Sequence, residues 1–273
     1  MSVLVRVRAP ATSANLGSGY DCAGVALDLW NELEVSEGEG EPDLDHLGVR
    51  AFARVAPLAG LQLSFTDSIP RERGLGSSAA VIALGLVAAV AVTGREATPE
   101  ELLAVGIELE GHGDNLAPAL AGGVCLTWGT SIARLADRPP ASPIALVPSS
   151  TVSTAEARAA LPTTVSHSDA AFTASRAALL GAALASGSPG LFARALDDRL
   201  HEPYRTAGAS LLGDVRRHLP EGALGATLSG SGPTVIVWAR RGRAPSCAAE
   251  LSRRFPDVDV LVLAASPKGA HLL

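Results

Sequence analysis

Lysine is almost absent from this chain: of its 22 basic residues, all but Lys268 are arginine. Lys268 is followed by Gly269 near the C-terminus, so a Walker A loop ending in Lys-Ser or Lys-Thr cannot be present. The same scarcity removes the strand lysine of protein kinases and leaves no well-placed Schiff-base lysine. A nucleotide, if one is handled, needs another device. Cysteine is scarce too. Cys22, Cys125 and Cys247 are odd in number and far apart, with no Cys-x-x-Cys and no histidine pair at metal spacing among the six histidines. A disulfide framework and a zinc site are therefore not expected, and a reduced, cytoplasmic compartment is. No apolar run is long enough to span a membrane: the longest, Ala79 to Val92, is about fourteen residues and contains Gly85, where roughly twenty are needed. Met1 to Pro10 lacks the apolar centre of a signal peptide. Nor is there a block of like charge, and 22 basic against 28 acidic residues leave a net charge of −6, so a nucleic-acid footprint is not expected.

What remains is a chain of 273 residues, 47% apolar, long enough for two domains with cores of their own. Val3, Val5 and Val7 alternate with Leu4, Arg6 and Arg8 as in a strand, and Val25, Leu27 and Leu29 begin a second one. Between them Ala9 to Gly24 reads as a loop rich in donors and glycines, either a ligand loop or a plain β-connection. Glu37 to Asp45 reads as a surface loop, His46 to Leu58 as a helix and Leu61 to Phe65 as a short strand. An apolar helix follows Gly74-Leu-Gly-Ser-Ser-Ala-Ala80. Thr98-Pro-Glu-Glu101 carries an N-cap, a proline at the first helical position and a capping-box glutamate, so a helix runs from there to about Glu110. A strand is expected from about Gly123 to Trp128. Three prolines between Ala136 and Pro143 mark the best domain boundary. Beyond it come strands at Ile144–Val147, near Ala226, at Val235–Trp238 and at Val258–Leu263. Helices are read over Ala155–Ala160, Asp169–Ala185, Leu191–Leu200, Ala207–His218 and Ala248–Phe255. The mixture indicates an α+β architecture.

Gly74-Leu-Gly-Ser-Ser-Ala also fits the degenerate dinucleotide pattern G-x-G-x-x-A, but Pro70 to Arg73 separate it from its strand, and Glu96 follows a helix where a second strand is required. The Rossmann reading fits poorly. The better account is physical: small residues opening a buried helix leave free backbone N–H groups at a positive helix end, which suits phosphate. Without a P-loop lysine, such a loop needs a divalent cation held by hard oxygen ligands. Ser77 and Ser78 offer hydroxyls, and Glu110 is a candidate carboxylate, although spacing alone favours reading it as a solvated helix-end residue.

These segments resemble a known family. Pro70 to Ala80 is similar to the phosphate loop of the GHMP small-molecule kinases, and Leu228-Ser-Gly-Ser-Gly-Pro-Thr234 to their C-terminal glycine motif. Within that group the resemblance narrows to the homoserine kinase family through Ala9 to Asp21, Glu110 to Ala119, Ser153 to Arg158 and Glu202-Pro-Tyr-Arg205. It implies a two-domain GHMP fold: an N-terminal ribosomal-protein-S5-domain-2-like domain over residues 1–140, which binds ATP, and a ferredoxin-like domain over 141–273 that contributes substrate contacts. It implies L-homoserine and ATP as substrates and Mg2+ as cofactor, with no nucleic acid or membrane partner, and it accommodates a homodimer.

Residue by residue, the resemblance places Asn15, Asp21, His112, Asn115, Thr154, Arg158 and Arg205 around homoserine, with Asp21 on the ammonium and the arginines on the carboxylate. Planar guanidinium forks suit a carboxylate, although each arginine taken alone reads as a surface or interdomain ion pair. Arg73, Gly74, Leu75, Gly76, Ser77, Ser78, Ala79 and Ala80 match the triphosphate cradle. Ser78 and Glu110 match the metal ligands, with Glu108 as the alternative to Glu110. Asp114 is the nearest carboxylate in the sequence motif. Asn115, which cannot take a proton at neutral pH, is expected to orient that hydroxyl while the proton leaves to phosphate or solvent. Two rivals stay open: a kinase for another small hydroxylated carboxylate, and a non-catalytic ligand sensor on the same fold.

Overall fold

The alternating Val/Arg segment forms β1 (Val3–Ala14), which pairs along nearly its whole length with β2 (Ala23–Glu37), from Val3↔Ser36 to Ala14↔Gly24. The computed structural model describes residues 2–205 and 211–273. The expectation that the chain leaves the sheet at Ala9 is corrected, because the strand continues five residues further, to Ala14. Pro10 did not end it for a geometric reason. The last strand, β10 (His271–Leu272), pairs with β1 only at Val7 and Arg8, so Pro10 lies on an edge where its missing N–H breaks no ladder. A register shift between Pro10 and Ala11 absorbs the change.

The remaining strands of this sheet are β3 (Leu61–Thr66), which pairs with β2, then β4 (Val124–Trp128) and β5 (Ser131–Ala136). Helix α1 (Leu47–Ala53) precedes β3, and His46 caps it by accepting from the Gly48 N–H. Helix α2 (Ser77–Thr93) has no polar face and occupies the centre, packed against β1, β2, α1, α3 (Pro99–Glu110) and α4 (Leu116–Ala121). At Gly85 a Cβ would lie 2.1 Å from the Gly48 carbonyl oxygen, so α1 and α2 touch backbone to backbone there. α3 begins as its sequence predicts, with Thr98 and Glu101 closing the capping box reciprocally.

After β5 the chain moves to a second, four-stranded antiparallel sheet of β6 (Ser142–Pro148), β7 (Ala223–Leu228), β8 (Val235–Ala239) and β9 (Val258–Val262), in the order β7-β8-β6-β9. Helices α5 (Thr154–Ala159), α6 (His167–Ser186), α7 (Pro189–Ala195), α8 (Glu202–Arg205) and α9 (Leu211–Arg217) lie between β6 and β7, and α10 (Ala244–Arg254) between β8 and β9. Strand order and connections are those of a ferredoxin-like layer. The helix expected to reach Leu200 stops at Ala195, because the Asp198 carboxylate takes the N–H groups of Leu200, His201 and Glu202 and starts a separate turn. Of the helix expected over Ala207–His218, residues 207–210 lie outside the described residues, and the rest contains α9.

Both faces of the second sheet are buried. Along β6 and β8, Ile144, Leu146, Val235 and Val237 pack with α9 and α10, while Ala145, Val147, Ile236 and Trp238 join the main core with α2, α6 and α7. Trp238 meets Phe192 edge to face at 5.3 Å, and its indole N–H donates to Thr227 Oγ1 at 3.0 Å. One apolar core therefore runs across both sheets, and it fixes the loops that meet between them.

Candidate active site

Those loops enclose a cavity of about 420 Å³. Its walls come from the β1–β2 connection (Asn15, Asp21), the Pro70–Gly76 loop with the first turn of α2, the α3–α4 turn (Glu110, His112, Asp114, Asn115), the start of α5 (Thr154, Arg158), Arg205 of α8 and the Gly230–Gly232 turn. Most of the residues singled out in the sequence thus converge, although they span nearly the whole chain.

At one end the cavity is built from backbone. No side chain caps α2 at Gly76, so the N–H groups of its first turn are open to a ligand. The loop is held on both sides: Thr12 N–H donates to the Leu75 carbonyl at 3.0 Å, Thr234 N–H to the Arg73 carbonyl at 3.2 Å, and Ser229 Oγ to the Gly74 carbonyl at 2.6 Å. The Leu228–Thr234 glycine motif therefore acts partly by bracing the Arg73–Ala80 loop. Gly76 has φ +65°, and a Cβ there would fall 1.8 Å from Thr12 Oγ1. Thr12 Oγ1 also donates to Asn115 Oδ1 at 2.7 Å, which fixes the carboxamide of Asn115 from behind. Ser78 Oγ donates to Glu110 Oε1 at 2.5 Å, and burial pushes the Glu110 carboxyl above its ordinary pKa despite that bond. Glu108, the alternative ligand, is exposed and pairs with Arg54 at 3.3 Å, away from the loop. Ala79 and Ala80 are buried, and the Ala80 N–H already donates to the Gly76 carbonyl at 2.9 Å, so the open N–H groups of the helix start stop at Ala79.

The other end is built from charged side chains. Arg158 grips Asp21 in a two-point ion pair, Nη2 to Oδ1 at 2.8 Å and Nη1 to Oδ2 at 3.0 Å. That pairing raises the Arg158 pKa further. Asn15 and Asp21 hold positive φ values of 73° and 55°, and Asn15 Oδ1 accepts the Asp21 N–H at 3.0 Å. Asn15 Nδ2 and Arg205 Nη1 both donate to the Gly230 carbonyl, at 2.9 and 3.1 Å. Asp114 Oδ1 lies 3.1 Å from His112 Nδ1 and accepts the Asn115 N–H at 2.8 Å. The hydrogen bond to Asp114 raises the His112 pKa. Thr154 lies at the cavity rim as the first residue of α5.

Two guanidinium groups in the walls, Arg73 at the loop and Arg205 opposite, have a buried Nε with no hydrogen-bond partner among the described residues. An anion would satisfy such donors. Sequence reasoning missed Thr12 as the brace of Asn115, the Asp45–Leu47 wall beside the loop, and two side chains behind Arg205, namely Tyr20 and His201. Tyr20 and His201 stood inside or beside quoted motifs. Nothing in their spacing marked them.

The chain is similar to known proteins over nearly its whole length. Residues 46–123 match the GHMP kinases N terminal domain, and residues 180–257 match the GHMP kinases C terminal domain. The chain is 40% identical to the homoserine kinase of Clavibacter michiganensis, over 97% of this chain and 93% of that protein. It is also 40% identical to the homoserine kinase of Moorella thermoacetica, over 98% and 99%. Its structure superposes on the crystal structure of homoserine kinase from Cytophaga hutchinsonii with a TM-score of 0.87 at 27% identity, covering 98% of this chain and 97% of that one.

Proposed function

The chain belongs to the GHMP kinases and, among them, to the homoserine kinases, and from that premise we propose how its own residues carry out the reaction. The activity is transfer of the γ-phosphoryl group of ATP to the side-chain hydroxyl of L-homoserine, giving O-phospho-L-homoserine for threonine synthesis. The observation that carries the residue assignment is the Asp21–Arg158 pair facing the open N-terminus of α2 across one cavity. A zwitterion sets its ammonium on Asp21 and its carboxylate on Arg158 and Arg205, and its hydroxyl then points toward the phosphate loop.

The triphosphate lies along the Arg73–Ala80 loop on the N–H groups that the helix start leaves open, those of Ser77, Ser78 and Ala79 among them, with the Arg73 side chain beside it. Ser78 and Glu110 fit a hard divalent cation: two oxygens lie 2.5 Å apart, and burial disfavours the Glu110 charge unless a cation stands next to it. Mg2+ held there supplies neutralisation of phosphate charge. Because phosphoryl transfer depends chiefly on positioning and electrostatics, no strong base is required. Asn115, locked by Thr12, leaves its amide end to orient the hydroxyl, and the proton leaves to phosphate or solvent. Asp114 acts on His112 and on the Asn115 backbone, which leaves it as a brace of the substrate end.

Residues 1–140 are read as the ATP-binding half and 141–273 as the half that adds substrate contacts. A cytoplasmic location rests on the use of ATP and on three free cysteines. The test is ADP release by the purified protein with magnesium-ATP against homoserine, aminopropanol, mevalonate and a sugar panel. Homoserine should be the preferred acceptor. Preference for an acceptor lacking a carboxylate would remove the clamp from the reading, and binding without ADP release would favour the sensor.

A further inference from the structure

Arg205 is the last described residue of α8. Its guanidinium is positioned by groups from elsewhere. Arg205 Cζ lies 5.1 Å from the centroid of the Tyr20 ring, within cation–π range. The opposite relation holds that ring in place, because Tyr20 stacks on His201 with centroids 4.9 Å apart and planes 22° apart. Tyr20 also accepts from Arg158 Nη1 through its hydroxyl at 3.3 Å, so one aromatic side chain touches both arginines.

His201 is wholly buried, and its Nε2 lies 2.9 Å from the Gly17 carbonyl oxygen. A carbonyl can only accept, so Nε2 carries the proton, and Nδ1 keeps a lone pair that faces Arg205 Nη1 at 3.4 Å. Burial lowers the His201 pKa even with Asp198 at 3.6 Å, which agrees with a neutral ring. Asp198 accepts the His201 N–H at 2.7 Å and anchors the ring's backbone.

We propose that Tyr20 and His201 are positioning residues that together aim Arg205 at the carboxylate of the acceptor. The proposal rests on the reading of Arg205 as a carboxylate ligand. It predicts that the Tyr20 ring and the His201 acceptor nitrogen act on homoserine through Arg205, while the Tyr20 hydroxyl touches Arg158 separately, a coupling that a purely structural role does not produce.

The experiment is steady-state kinetics of the full chain carrying Tyr20→Leu, Tyr20→Phe or His201→Phe, each alone and combined with Arg205→Ala, with homoserine and with aminopropanol, the acceptor lacking only the carboxylate. Tyr20→Leu should raise KM for homoserine about 3- to 30-fold, the range of a partly desolvated cation–π contact, with KM for ATP unchanged. Tyr20→Phe keeps the ring and should stay within about twofold. His201→Phe keeps the stack but loses the acceptor, and should raise the homoserine KM about threefold. In the Arg205→Ala background the difference between Tyr20→Leu and Tyr20→Phe, which isolates the ring from the hydroxyl on Arg158, and the effect of His201→Phe should vanish, and none of these changes should appear toward aminopropanol. Equal losses on both acceptors, or full multiplication with Arg205→Ala, would overturn the proposal. If Arg205→Ala itself weakens both acceptors equally, the carboxylate reading fails and the proposal falls with it. Should His201→Phe not fold, the half-exposed Tyr20 still decides, because its variants leave the buried histidine in place.

Discussion

The two ends of the cavity are made of different material. The phosphate end is backbone: a short loop, an uncapped helix start, and hydrogen bonds from Thr12, Ser229 and Thr234 that hold it rigid. The acceptor end is side chain: an ion pair between Asp21 and Arg158, 137 positions apart, together with Arg205, Asn15 and His112. A backbone site recognises what every ATP shares and fails abruptly when its geometry is disturbed. A side-chain site selects one acceptor and degrades in steps, one charge at a time.

The sharpest way to break this contrast is Gly76→Ala. A Cβ at φ +65° and 1.8 Å from Thr12 Oγ1 must move the loop or break the Thr12–Asn115 bond, so it disturbs both ends together. With backbone strain added to a displacement on the scale of 1 Å, kcat/KM for ATP should fall about 10³-fold. A loss under tenfold would mean that the loop is plastic. Next in size, Glu110→Gln should lower kcat about 10²-fold with little change in homoserine KM, because it removes a buried charge beside the triphosphate. Glu108→Gln, on the exposed side of α3, should leave kcat unaltered. The reverse result would transfer the ligand role to Glu108.

Arg158→Ala should raise KM for homoserine about 10- to 100-fold while KM for ATP stays put, and Lys should rescue only in part, since an ammonium lacks the two-point fork. If KM for ATP rises equally, the two ends are one mechanical unit and the contrast is false. The smallest effect concerns pH. Hydrogen bonding to Asp114 raises the folded pKa of His112, so the pair stabilises the fold fully below the unfolded histidine value, about 6.5, and loses that contribution as pH rises through the raised value. Thermal melts of the unaltered chain and of His112→Asn should therefore differ most on the acid side and converge at alkaline pH. A gap that widens with pH would reverse the sign assigned to this pair.

What could be read in advance followed the same division. The phosphate loop was legible because its chemistry is consecutive: glycines, two serines and an apolar helix in one stretch. The capping box of α3 was legible for the same reason. β5 and β10 were not: β5 mixes Ser131 and Arg134 with its apolar residues in a hairpin with β4, and β10 is two residues held by β1. Residues 9–14 read as a loop because Thr12 and Ser13 are polar, yet both are wholly buried where they meet the phosphate loop and Ser229. In the acceptor end the family motifs supplied Asp21, Arg158 and Arg205, while Tyr20 and His201 carried no sequence signal, since they act on another side chain.

Sequence alone determined where α2 and α3 start, where the backbone could open to phosphate and that a lysine-free device was needed, because caps, glycine conformations and residue chemistry are set within a few positions. Only the tertiary structure decided that Ser78 meets Glu110, that Asp21 and Arg158 neutralise each other, and that a tyrosine and a histidine stand behind Arg205. Those contacts form only once the shared core has closed the intervening chain, and the entropy of that closure is offset by burial spread over the whole molecule and not by any local pattern.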